Sequence, residues 1–208
     1  MFCCDILTSL DNTLGDVLQM TWPMLFISMV LIASVRIAYL YNKKEELILH
    51  KEIILLTFVL YILCLFQVVT SQDINTVTGN NYVPFREIFR YDFGGRLFVK
   101  NIIGNVIMFV PYGFFATLYA DLKKGRSAFL LVLLASLSIE CTQLMIGRIF
   151  DVDDILLNVL GGMIGFYFYR SMDKFASTLP RLFKSKIFLD IISVIIFVVM
   201  ILYIIWRL

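Results

Sequence analysis

Apolar residues fall along this chain in long blocks rather than in strict alternation or as a narrow stripe. The blocks cover about Val17–Tyr41, Ile53–Val69, Ile102–Ala120, Ser127–Ile146, Ile155–Tyr169 and Ile187–Trp206. Most lie near the ~20 residues needed to cross a hydrocarbon layer ~30 Å thick. The fifth is short and needs its flanks to span. Charged breaks separate them, such as Lys43–Glu46 and Asp121–Arg126. The pattern predicts an all-α fold: a polytopic membrane helix bundle of about six transmembrane helices. One domain over residues 1–208 is expected, with an extra N-terminal helix at 17–41, a core at about 53–170 and a C-terminal helix at 187–206.

Between the second and third blocks lies a polar loop, about Thr70–Lys100. Pro84 suits the first turn of a short helix. Phe85, Ile88 and Phe89 then share one face, and Gly94 and Gly95 end it. An amphipathic helix lying on the outer membrane surface, or capping the bundle, is the expectation. Aromatic belts mark the first block, with Trp22 near one end and Tyr39 and Tyr41 at the other. Arg36 lies near that second end and can snorkel.

Composition agrees with the blocks. Of 208 residues, 60% are hydrophobic and 16% charged, against about 45–50% and 25% in a soluble domain. A net charge of +2 with no large basic cluster gives no reason to expect nucleic acid. Cys3 and Cys4 are adjacent, and Cys64 and Cys141 lie in apolar blocks. That spacing suggests neither a disulfide framework nor a zinc site, so no metal and no cofactor are expected. His50, beside a charged run, reads as an exposed interfacial residue. The first residues carry Asp5, Asp11 and Asp16 and lack the basic start of a signal peptide.

Lys and Arg set the orientation. Counted through alternate loops, Lys43, Lys44, Lys51, Lys123, Lys124, Arg126, Arg170, Lys174, Arg181, Lys184 and Lys186 share one side. Arg86, Arg90, Arg96, Lys100, Arg148 and Arg207 share the other. The first side is expected to be cytoplasmic, with both termini outside.

Polar residues inside the blocks are the candidate chemistry, because such groups are costly in hydrocarbon. On the fourth helix Ser136, Glu140 and Gln143 lie on one face at i, i+4 and i+7. On the fifth, Asp151, Asp154 and Asn158 repeat that spacing. On the third, Asn101 and Asn105 are four apart. At 1.5 Å per residue, Glu140 lies roughly 9 Å below the outer end of its helix, and Asn105 and Asn158 roughly 6 Å below Asn101 and Asp154. Three helices thus place polar groups at one level, and the short turn Gly147–Asp153 makes the fourth and fifth neighbours. A shared cavity open to the outside is expected, with Asn101, Asn105, Ser136, Glu140, Gln143, Arg148, Asp151, Asp153, Asp154 and Asn158 as its binding residues. Arg148, Arg96 and Lys100 are the cations available to Glu140. Glu140, Asp151 and Asp154 are the candidates for acid–base catalysis. The alternative is a hydrogen-bond network that only holds the bundle together, with the acids capping the fifth helix. Gly161 and Gly165 form a small-xxx-small pair suited to close packing, and Pro111 frees the carbonyl of Ile107.

At these residues the sequence resembles the VanZ-like family. The resemblance covers about Asn81–Tyr169. It rests on N-Y-V-P-F at Asn81–Phe85 and on N-x3-F-x-P-x-G at Asn105, Phe109, Pro111 and Gly113. It continues through S-x3-E-x2-Q at Ser136, Glu140 and Gln143 to the run from Gly147 to Gly165. Tyr82 stands where the family usually has Leu, and the helix before His50 is an addition to the smaller family core. The resemblance implies a multi-pass protein of the bacterial plasma membrane associated with reduced susceptibility to teicoplanin and lipoglycopeptides, without remodelling of cell-wall precursors.

Three functions compete. One is a binding module at the outer leaflet for an amphiphile: a membrane lipid, a lipid-linked cell-wall precursor or the lipidated glycopeptide. The second is an intramembrane enzyme acting on a lipid-linked headgroup, with Glu140 and the Asp151/Asp153/Asp154 cluster as acid and base or as ligands for Mg²⁺ or Ca²⁺. The third is a small proton-coupled transporter.

Overall fold

A computed structural model describes residues 2–44, 48–71, 80–91, 95–178 and 186–207. Six helices follow in order: α1 Phe2–Lys43, α2 Leu49–Ser71, α3 Gly104–Ala120, α4 Gly125–Met145, α5 Val152–Thr178 and α6 Lys186–Arg207. A short helical turn, Arg96–Phe98, and a π-helical stretch, Val99–Ile103, lead into α3. Among the described residues the one pairing of strand type is a parallel bridge between Asn81 and Asp151.

Five segments are long and apolar enough to cross a membrane: Trp22–Lys43, Leu49–Val69, Asn101–Ala120, Gly125–Met145 and Val152–Phe175. α6 adds a shorter apolar stretch, Leu189–Val199. The chain is therefore an all-α, multi-pass membrane protein. Two helices run furthest beyond their apolar blocks. α1 begins at Phe2 rather than near Val17. α5 is not short, since it runs on to Thr178. No Gly or Pro follows Gly165 before Pro180, so nothing in that sequence breaks the helix. Arg170 and Asp173 also pair along it at 3.7 Å. An apolar block marks what lipid covers, not where a helix stops.

The chain divides into two compact units, one of Val69–Lys174 with Met1–Asn12, the other of Thr13–Val68 with Phe175–Leu208. In the first, Phe109 of α3, Val132 of α4 and Ile155 and Val159 of α5 form the core. Glycines let the helices meet backbone to backbone. A Cβ on Gly161 would collide with the Val106 carbonyl, and one on Gly165 with that of Val110. The small-xxx-small face of α5 is thus the face against α3. Gly113 of α3 faces Gly162 in the same way.

In the second unit Leu25 and Leu60 are buried together, with Met29, Leu63 and Cys64 against them. Arg36 does not simply snorkel. Its guanidinium binds both oxygens of Glu52, at 2.8 and 3.1 Å, and lies 5.4 Å from the Tyr39 ring centre. Nor is His50 an exposed residue. Its backbone N–H donates to Asp190 Oδ1 at 2.9 Å and its Nδ1 lies 2.6 Å from the same oxygen. Position at the end of an apolar block suggests snorkelling for Arg36 and a charged run suggests exposure for His50, whereas their partners come from other helices.

Candidate functional site at the head of α5

One stripe of α4 is buried: Ala128, Val132, Ser136, Glu140 and Gln143. Glu140 is only 1% exposed. Past α4 the chain reverses at Gly147, whose φ of +85° suits glycine. Arg148 N–H closes this turn on the Gln143 carbonyl at 2.9 Å. The reversal carries Asp151 back over α4, and its backbone N–H donates to Glu140 Oε2 at 3.0 Å. The Gln143 amide takes the orientation that satisfies both its neighbours. Its nitrogen donates to Glu140 Oε1 at 2.8 Å and its oxygen accepts from Arg148 Nη1. Gln143 therefore relays between the carboxylate and the guanidinium. Arg148 Nη1 also donates to the carbonyl of Val69.

Asp151 caps α5. Its Oδ1 accepts the backbone N–H of Asp153 at 2.8 Å, as an acid at a helix N-terminus commonly does. Asn158, deeper on α5, donates from Nδ2 to Ser136 Oγ at 3.0 Å. Asn158 Oδ1 is buried and has no hydrogen-bond partner among the described residues. From α3, Asn105 Nδ2 donates to Asp154 Oδ1. Three helices thus join their polar groups around the head of α5, as the spacing predicts. Asn101 is not part of this group. Its Nδ2 donates to the Tyr91 hydroxyl at 2.8 Å. The side chains of Arg96 and Lys100 lie outside the described residues.

Asp153 also departs from the expectation. It is 1% exposed and turns away from Glu140 toward the preceding loop. Its Oδ1 accepts the N–H of Phe85, and its Oδ2 accepts those of Glu87 at 2.7 Å and Ile88 at 3.3 Å. Residues 84–90 form consecutive turns, not the amphipathic helix that the sequence predicts. Phe85 has a left-handed φ of +67°, which breaks a right-handed helix just after Pro84. Asp153 accepts the N–H groups of Phe85, Glu87 and Ile88 in this turned conformation. The expected end at Gly94 lies outside the described residues.

A second clasp holds the same loop. Asn81 N–H donates to the Phe150 carbonyl at 2.8 Å, and Val152 N–H to the Asn81 carbonyl at 3.1 Å. Asn81 Nδ2 donates to Asp151 Oδ1 at 2.8 Å. Phe150 N–H donates to Asn80 Oδ1 at 3.0 Å, and the Tyr82 ring stacks on Phe150 at 5.6 Å. Burial pushes the Asp151 carboxyl above its ordinary range. The hydrogen bonds from Asp153 N–H and Asn81 oppose this, while the charges of Asp153 and Glu87 add to it.

Sequence reasoning misses Asn81 as a contributor to the site. Asn81 opens one of the motifs that carry the family resemblance, but nothing in its local spacing reveals a partner near residue 151. Among the described residues no three His, Cys, Asp or Glu side chains are grouped to hold a metal ion. What the arrangement offers is a directional set of amides, hydroxyls and carboxylates at one end of three apolar helices.

The family model described as VanZ/LLP1 matches residues 53–176, a span that includes every candidate site residue. No curated protein and no solved structure matches the chain.

Proposed function

Because the chain belongs to the VanZ/LLP1 family, we propose that it lowers susceptibility to teicoplanin and lipoglycopeptides by binding an amphiphile at the head of α5. On this reading it is a bacterial plasma-membrane protein with both termini outside, and the head of α5 lies in the outer leaflet. The amphiphile is a lipid-linked cell-wall intermediate or the lipidated antibiotic. Its tail lies against the apolar helices, and its head exchanges hydrogen bonds with Glu140, Gln143, Asn105 and Asn158.

The observation that carries this reading is Asn158 Oδ1. Buried acceptors in proteins are nearly always hydrogen-bonded, and this one has no partner among the described residues. It lies beside Ser136, one helical turn from Glu140. A headgroup hydroxyl or amide N–H supplies what that oxygen lacks. The test is native mass spectrometry of the purified chain with teicoplanin and with a lipid-linked precursor. Asn158→Leu and Glu140→Gln are each expected to reduce occupancy about tenfold, the equivalent of one lost hydrogen bond of ~1.4 kcal/mol. Unchanged occupancy in both variants would contradict the reading.

A second reading is an intramembrane enzyme acting on a lipid-linked headgroup. It is favoured by two carboxylates at the head of α5, Glu140 beneath the Asp151 N–H and Asp154 beside Asn105. Asp153 is taken up by three backbone N–H groups of the preceding loop, and on this reading Glu140 and Asp154 serve as the acid and base. Turnover of a lipid substrate that disappears in both Glu140→Gln and Asp154→Asn would favour this reading over simple binding.

A further inference from the structure

We propose that the turn from Tyr82 to Arg90 is a membrane-interface anchor, an aromatic wedge whose arginine engages phosphate-bearing lipids at the α4–α5 end of the bundle. This does not rest on the binding function proposed above.

Position comes first. The α4 span ends at Met145 and the α5 span begins at Val152. The membrane–water boundary on this side therefore lies at residues 145–152. The turn is hydrogen-bonded to Asp153 through three of its N–H groups, so it is held at that boundary. Its large side chains face outward. Phe89 is 84% exposed, Tyr82 66% and Phe85 53%. Met145 and Ile146, at the adjoining end of α4, are exposed as well. An apolar surface of this kind is unfavourable in water and favourable at the headgroup level, where aromatic rings collect.

Charge supports the same occupant. Arg90 pairs with Glu87 at 3.1 Å. Arg86 is exposed and makes no ion pair among the described residues. It projects from the same turn as Phe85 and Phe89, where a lipid phosphate is within reach. Rigidity completes the anchor. Asp153 fixes the backbone from beneath, and Phe85 is held in a left-handed conformation. The rings thus lose little freedom on insertion, which favours binding.

The test uses the full chain with Trp22→Phe, Trp206→Phe and Phe89→Trp, so that the new indole is the only one. The protein is reconstituted in vesicles of phosphatidylcholine and phosphatidylglycerol. The expected result is quenching by lipids brominated near the headgroup end of the acyl chain, with protection from aqueous iodide. Free access to iodide with no effect of brominated lipid would overturn the anchor and indicate an occupant other than lipid. A second measurement addresses the arginine. Arg86→Gln is expected to lower retention of phosphatidylglycerol over phosphatidylcholine about fivefold in native mass spectra, the effect of one basic residue at an anionic surface. An unchanged lipid preference would overturn the phosphate contact.

Discussion

Glu52 and Asp190, in one unit, are each met by a basic side chain, Arg36 and His50. Glu140 and Asp153, in the other, are met by backbone and amide N–H groups. Both arrangements compensate a carboxylate among apolar helices, but they suit different roles. A basic side chain set against an acid fastens two helices and tolerates some change in geometry. A set of N–H donors fixes a carboxylate in direction as well as position, because each hydrogen bond weakens steeply off line. The first arrangement suits holding helices together, and the second suits presenting a defined polar surface to a ligand.

Removing the carboxylate should therefore cost most where N–H donors surround it. Asp153→Ala leaves the N–H groups of Phe85, Glu87 and Ile88 without their acceptor, at an expected cost of about 3 kcal/mol. Thermal unfolding in detergent measures the loss, and limited proteolysis should show new cleavage between Phe85 and Tyr91. Equal stability and an intact loop would remove Asp153 from the comparison.

Gln143→Leu comes next. It takes the relay from between Glu140 and Arg148, and about 2 kcal/mol of destabilisation is expected from the two groups it leaves. Gln143→Glu should fare no better, because it places two carboxylates side by side. A rescue by Glu would mean that Arg148 pairs with the position directly.

The Arg36–Glu52 ion pair of the other unit should show smaller coupling. A double-mutant cycle of Arg36→Gln and Glu52→Gln is expected to give about 1 kcal/mol, in the range found for polar pairs inside membrane proteins. Coupling as large as the Asp153 effect would erase the distinction between the two units.

The smallest effect is a pH dependence. Burial raises the Asp151 carboxyl in the folded protein, so the folded state holds this proton to higher pH than the unfolded chain does. Stability contributed here is greatest below the ordinary carboxyl range. It falls as pH climbs from that range through the raised value and is level above it. Asp151→Asn should lose this decline, while the Asn81 and Asp153 hydrogen bonds to Oδ1 remain available. Melting curves across about pH 3 to 7, bracketing the ordinary carboxyl range, compare the two proteins.

Helical spacing makes part of this legible from the sequence. Ser136, Glu140 and Gln143 share a buried face because they recur with the turn of α4. Gly161 and Gly165 likewise lie on one side of α5. Those relations are local, and periodicity reports local relations well. Asp153 and the turn it holds are separated by more than sixty residues, and His50 and Asp190 by 140. No periodicity connects such positions. Pro84 followed by an amphipathic pattern predicts a helix on local grounds, whereas Phe85 takes a left-handed φ and the turn is tied to the distant Asp153. The three acids form one cluster in the sequence, yet each does something different in the fold. Asp151 caps α5, Asp153 holds the loop and Asp154 meets Asn105.

Susceptibility is the most direct test of the central claim that the head of α5 carries the activity. Wild type, Glu140→Gln and Glu52→Gln are expressed at matched membrane levels in a sensitive Gram-positive host, and growth is followed in teicoplanin and in vancomycin. The expected result is selective teicoplanin protection by the wild type, its loss in Glu140→Gln and its retention in Glu52→Gln. Equal protection by all three would contradict the claim, and would make Glu140 a structural carboxylate like Glu52.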